Sequence, residues 1–158
     1  MKKKAWVYLI FITAIFLVLI CYYVLPIVQR VYDESVIKAD YFSNATLFLK
    51  TAEYLIRTEG KVSIDKLRPG NEYGFTEETK GDEYKPSKEE AEAISAILYQ
   101  LDYRTIYRKS SGEVIIIKKY IGSLEKGLMK ISDTKFPPGV VDTEHLEGDW
   151  YIYVLGRQ

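Results

Sequence analysis

The chain holds one cysteine, Cys21, and one histidine, His145. A single thiol allows no intrachain disulfide and no cysteine-based zinc site, so an oxidising compartment would leave no mark on the fold. A lone histidine supplies no His-based zinc site either, and a Ser-His-Asp triad would have to be built on His145 beside Glu144. Sequences of the G-x-S-x-G, P-loop and G-x-G-x-x-G types are absent. Excess charge is missing too. The 22 Lys and Arg balance the 22 Asp and Glu with no basic stripe, which speaks against a nucleic-acid partner. Asp133, Asp142, Glu144 and Asp149 are of the right type for two-carboxylate glycoside chemistry. Among 22 acids, however, some close pairs arise by chance, and the chain is read as a non-enzyme without cofactor or metal. No internal repeat is present.

The longest gap is in charge along the chain: nothing ionic lies between Lys4 and Arg30, and no acid precedes Asp33. Within this gap Ala5 to Leu25 is an unbroken apolar run of 21 residues, of which 13 are Leu, Ile, Val or Phe. As a helix it would reach about 31 Å, the thickness of a bilayer's hydrocarbon layer. A cleaved signal peptide would have a shorter core and small residues near its end, whereas Cys21-Tyr22-Tyr23-Val24-Leu25 is bulky. Leu19 and Ile20 also sit where a lipoprotein signal carries small residues before its cysteine. The run is therefore expected to be an uncleaved, single-pass transmembrane signal-anchor. Lys2, Lys3 and Lys4 place residues 1–4 in the cytoplasm as a short tail and 26–158 outside the membrane. Trp6, Tyr8, Tyr22 and Tyr23 suit the two headgroup layers. The exterior part carries a net charge of 19 − 22 = −3 and is long enough for one domain with a core.

Residues 26–60 continue the helical pattern. Val28, Val31, Ser35, Ala39, Phe42, Ala45, Leu49, Ala52 and Ile56 recur at threes and fours, with Tyr32, Phe48 and Leu55 flanking them. This amphipathic juxtamembrane helix is expected to pack on the chain's own sheet, the alternative being a helix of another chain in a helix-mediated oligomer. Pro26 lies near its start and Gly60 marks its end. Asn44-Ala45-Thr46 forms a glycosylation sequon in mid-helix. Residues 61–86 are expected as a surface loop, with a helical turn over Val62 to Leu67 and a turn at Pro69-Gly70-Asn71. The acidic cluster Glu77, Glu78, Asp82 and Glu83 lacks the alternating ligands of a calcium loop.

Ser87 and Glu90 have capping-box spacing, so a second helix begins there, with Ala91, Ile94, Ile97, Leu98 and Leu101 on its apolar face. Strands follow over 103–108, 113–121, 128–131, 142–146 and 150–155. Their short connections make neighbours antiparallel. The fold class is α+β, a second helix packed with an antiparallel meander of four or five strands, and 87–158 together with 26–60 form the exterior domain. On the last strand Trp150, Ile152 and Val154 share one face and Tyr151, Tyr153 and Leu155 the other. The first set suits the core. Tyr151 and Tyr153, with Tyr107, Tyr120 and Tyr103, form a candidate aromatic platform for sugar rings or a protein partner.

A hydrophobic helix running into an amphipathic one, followed by antiparallel strands, resembles the layout of type IV pilins and pseudopilins, and Lys2 to Ala5 resembles their short basic leader. The resemblance implies a structural, filament-forming role. It departs from that family at the glutamate expected five residues into the mature helix, where counting from Trp6 this chain has Ile10. The leading expectation is an accessory subunit whose exterior domain binds a protein or another cell-envelope component. A ligand-sensing domain acting through a membrane partner is the remaining alternative.

Overall fold

The structure is a computed structural model and describes residues 12–58, 62–66, 74–77, 85–132 and 135–156. It divides into two units, Met1–Val36 and Ile37–Gln158.

In the first unit, helix α1 spans residues 12–19, a π-helical turn covers Ile20–Val24, and helix α2 starts at Leu25. Pro26 has no N–H to offer the carbonyl four residues back, and the widened turn falls directly before it. Ile12, Phe16, Val18 and Tyr22 are all turned outward. Among the described residues no helix is long and apolar enough to cross a membrane. Residues 5–11, the first third of the expected span, and the tail 1–4 lie outside the described residues.

The second unit is α+β. Helix α2 runs over Leu25–Arg57, and inside it Asn44 leaves helical geometry at φ −134°, ψ 26°, its side-chain amide donating to the Asp40 carbonyl at 3.0 Å. The strands are β1 Val62–Asp65, β2 Gly74–Glu77, β3 Thr105–Arg108, β4 Val114–Ile121, β5 Leu124–Lys130, β6 Val140–His145 and β7 Trp150–Gly156. They form one sheet in the order β2-β1-β3-β4-β5-β7-β6, every pair antiparallel. Among the described residues seven strands replace the four or five expected. Two of the additions come from 61–86, expected as a loop: Val62 to Asp65 is extended rather than helical because Val62 and Ile64 both point into the core while Ile64 pairs with Ile106 of β3. Nor is the sheet a simple meander. β7 lies between β5 and β6, which fits its sequence: Trp150, Ile152, Tyr153 and Leu155 are buried, whereas β6 carries Asp142 and Glu144 and takes the edge.

Helix α3, Lys88–Ser95, begins where the capping box places it. The Ser87 amide donates to Glu90 Oε2 at 2.7 Å, and the Glu90 amide donates to Ser87 Oγ at 3.3 Å. Its last turn, Ala96–Gln100, widens to a π-helix, and Ile94, Ile97 and Leu98 are buried. One face of the sheet, through Val114, Ile116, Leu128, Trp150 and Ile152, packs against Ile37, Tyr41, Phe48, Ala52 and Leu55 of α2 and the buried side of α3. Rings dominate the contact: Phe48 lies 5.7 Å from Tyr103 and 6.2 Å from Trp150, and Tyr41 lies 5.5 Å from Trp150. Each such side chain contributes about 1.5–3 kcal/mol when fully buried.

The helical stripe expected against the sheet is thus rotated. The residues that flanked it, Phe48 and Leu55, are in the core, and Phe42, Leu49 and Ile56 face outward. Polar ties fix α2 in place. Lys118, at the β4 bulge, bonds Asp40 at 2.9 Å and the Leu101 carbonyl, with its ammonium 4.5 Å from the centre of the Tyr103 ring. Lys50 pairs with Glu89 at 2.6 Å and Arg57 with Glu90 at 3.0 Å, joining α2 to α3.

Candidate binding surface

Alternation along the strands puts Tyr107, Tyr120, Tyr151 and Tyr153 on the sheet face away from α2 and α3, around Ile115, Ile117, Met129, Ile131 and Leu155. Register aligns Tyr107, Ile115, Met129, Tyr151 and His145 as one cross-strand row. The next row contains Ile117, Gly127 and Tyr153. The four tyrosines singled out by sequence are therefore brought together, but not as one open platform.

Tyr153 is 1% exposed and belongs to the interior. Burial pushes its phenol well above the usual tyrosine range, and Tyr107, Glu125 and Tyr120 reinforce the shift, so it stays neutral at physiological pH. Its hydroxyl has no hydrogen-bond partner among the described residues. Tyr107 and Tyr120 are half-buried, and the Arg104 guanidinium sits 6.0 Å from the Tyr120 ring centre. Tyr103, the fifth candidate, is buried on the opposite face beneath α2.

Tyr151 is half-buried like Tyr107 and Tyr120, and it is the one in contact with exposed rings. Phe136 meets it edge-on at 5.0 Å and 86°, and the His145 ring lies 5.0 Å from it, tilted by 58°. Phe136 is 40% exposed and His145 is exposed, its Nε2 held 2.9 Å from the Gly148 carbonyl oxygen across the β6–β7 turn. Three rings thus share one partly open patch, whose faces suit a sugar ring or an apolar side chain and whose imidazole adds a polar rim. Neither Phe136 nor His145 stood out in the sequence as a binding residue. His145 follows from the register opposite Tyr151, while Phe136 comes from the loop before Pro137-Pro138, which carries no periodic signal.

Of the carboxylates open to glycoside chemistry, Asp142 and Glu144 lie on β6 and Asp149 in the β6–β7 turn. Glu144 pairs with Lys38 at 2.5 Å and Asp149 with Lys130, while Asp133 lies outside the described residues. No cluster of three His, Cys, Asp or Glu side chains could hold a metal among the described residues. A separate open cleft of about 740 Å³ runs between α2 and α3, past Leu47, Lys50, Glu89, Glu92 and Gln100, with the Lys50–Glu89 pair in its wall. That contact raises the lysine's proton affinity and lowers the glutamate's, and leaves no free nucleophile or base between them.

No family model, curated protein or solved structure matches this chain. The functional reading therefore rests on the chain's own chemistry.

Proposed function

We propose that the protein is a single-pass anchor, N-terminus in the cytoplasm, whose extracytoplasmic domain is a non-catalytic binding module of a cell-envelope assembly. The observation that carries the reading is the charge-free run Ala5 to Leu25, flanked by three lysines on one side and by Asp33 and Glu34 on the other. The outward-facing apolar side chains of α1 support it, because a helix apolar all round is stable only when enclosed by lipid or protein. The Phe136–Tyr151–His145 patch is the part of the domain best suited to hold a partner, through aromatic stacking on a protein side chain or an envelope sugar. Protease added to intact cells should remove the domain, and protection until the cells are opened would overturn the topology. Crosslinked pull-down of the solubilised chain should return a partner that Tyr151→Ala loses; a chain recovered alone would refute the binding role.

A pilin-like structural subunit is the second reading, favoured by the packing of α2 on one face of an antiparallel sheet. It requires removal of the basic leader. Intact mass of the membrane form decides between the two: loss of the residues before Trp6 supports the pilin-like role, and their retention excludes it.

A further inference from the structure

Two occupants fit the rings of the Phe136–Tyr151–His145 patch, an apolar side chain and a sugar, and the polar groups beside the rings decide between them. His145 Nε2 lies 2.9 Å from the Gly148 carbonyl oxygen. A carbonyl only accepts, so Nε2 carries the proton and Nδ1 of the neutral ring is an acceptor. Gly148 holds φ +58°, a left-handed backbone that glycine adopts freely, and the turn built on it sets this contact. Nδ1 meets no donor among the described residues. Thr143, two residues back on β6, shares the face of His145 and stands opposite Tyr153. It is half-buried, and its hydroxyl is likewise without a partner among the described residues.

The ionised groups of the same hairpin are drawn to the other face. Glu144 pairs with Lys38 of α2, and Asp149 pairs with Lys130. Burial, then Glu147 and Asp149, raise the phenol of Tyr41, which lies on α2 against Trp150. On the patch side the hairpin therefore offers rings, one acceptor and one hydroxyl, and no carboxylate.

We infer that the patch is a saccharide subsite, in which a pyranose ring lies with its C–H face on Tyr151 and Phe136 while one of its hydroxyls donates to His145 Nδ1. This deepens, and rests on, the binding role proposed above for the same three rings. A pyranose has an apolar face of C–H bonds and a rim of hydroxyls, and the patch supplies the complement to both. Phe136 stands at 86° to Tyr151, so a flat ring resting on one is met at its edge by the other. An apolar side chain laid over the same rings would cover Nδ1 and the Thr143 hydroxyl without bonding either, and burying unbonded polar groups opposes association. The subsite is one ring wide. Affinity for a single sugar is accordingly weak and rises on a polymer that presents the ring repeatedly.

Titration of the full chain in a detergent without a sugar headgroup tests this, with chitotetraose and cellotetraose as probes and NMR of the His145 imidazole and the Tyr151 ring as readout. Both signals should shift saturably. Sorbitol, which has the hydroxyls without a ring face, and N-acetylleucine amide, which stands for an apolar side chain, should move neither. Thr143→Val, and His145→Phe, which keeps a ring and removes the acceptor, should each lower affinity several-fold as read at Tyr151, with thermal unfolding unchanged. No saturable shift with either tetrasaccharide, equal binding of N-acetylleucine amide, or tighter saccharide binding by His145→Phe would overturn the inference. The crosslinked pull-down separates this outcome from failure of the binding role. A chain that ignores saccharides yet loses a protein partner on Tyr151→Ala refutes the sugar alone, whereas a chain that takes up neither defeats the binding role as well.

Discussion

Gly127 on β5 offers the sharpest test of the packing. A Cβ placed there would sit 2.0 Å from the Ile116 carbonyl oxygen and 3.0 Å from both the Ile116 carbonyl carbon and the Ile117 Cα. All three are backbone atoms of the neighbouring strand β4, so no rotamer change relieves the clash. Gly127→Ala must move β4 and β5 apart by about 1 Å, at the place where the ladder already shifts register between Ile117 and Lys119. Losing about two ladder bonds at ~1 kcal/mol each, with overpacking of about 1–3 kcal/mol, gives a destabilisation of about 3–5 kcal/mol. The usual sign is the reverse, since alanine stabilises a strand interior over glycine by roughly 0.5–1 kcal/mol. In a domain of this size the loss corresponds to a Tm lower by about 10 °C or more. Thermal unfolding of the detergent-solubilised chain, with Trp6→Phe leaving the buried Trp150 as fluorophore, measures it. Gly156→Ala is the control, because its Cβ would meet only Gly139 O at 3.6 Å and Val141 Cγ2 at 3.8 Å, ordinary contact distances. A Gly127→Ala protein melting at or above the wild type, or a Gly156→Ala protein falling equally far, would refute the argument.

Phe48→Ala should cost about 3–5 kcal/mol in urea titrations, and Phe42→Ala, on the exposed side of the same helix, less than about 1 kcal/mol. Tyr153→Phe removes a buried hydroxyl that has no bond partner among the described residues, and should leave stability unchanged or raise it by up to ~1 kcal/mol; a clear loss would mean that the hydroxyl is paired. Ser87→Ala should lower stability by about 0.5–2 kcal/mol through loss of the α3 cap. Burial raises the Glu90 carboxyl, but bonds from the Ser87 amide and hydroxyl and from Arg57 outweigh it and hold the group below the usual glutamate range. Its contribution is thus complete above the unfolded value, about 4.3, and fades as pH falls through the lower folded value. A Tm series from pH 6 to pH 3 should accordingly fall less steeply for Glu90→Gln than for the wild type.

The parts of the fold visible in the sequence were those fixed by local chemistry. Ser87 and Glu90 bond one another across a single turn, so the start of α3 could be read directly. The alternation over Trp150 to Leu155 gave the two faces of β7 because a strand's period belongs to its own backbone. What depended on partners was hidden. Val62-Ser63-Ile64-Asp65 has too few residues to distinguish a turn of helix from a strand, and the pairing of Ile64 with Ile106 decides it. The sequence showed a hairpin over 142–155 but not which arm would join β5. For α2 the period was right and Ala52 of the expected stripe is buried, but the phase was off at Phe42, Leu49 and Ile56, which are as apolar as the buried Phe48 and Leu55 on the other side. At the candidate surface, Tyr151 and Tyr153 were placed on the correct face, but the depth that seals Tyr153 and the arrival of Phe136 beside Tyr151 are tertiary outcomes.

The insertion of β7 between β5 and β6 sets an order of assembly. As the chain emerges, Val140 to His145 comes before Trp150 to Gly156, yet among the described residues its one neighbour in the finished sheet is that later strand. Until it arrives, the open side of β5, with Leu128 and Met129, has no cover and offers unpaired backbone to any passing extended segment. A chain still emerging would therefore pass through an interval of vulnerability to misassociation that ends when β7 pairs with β5.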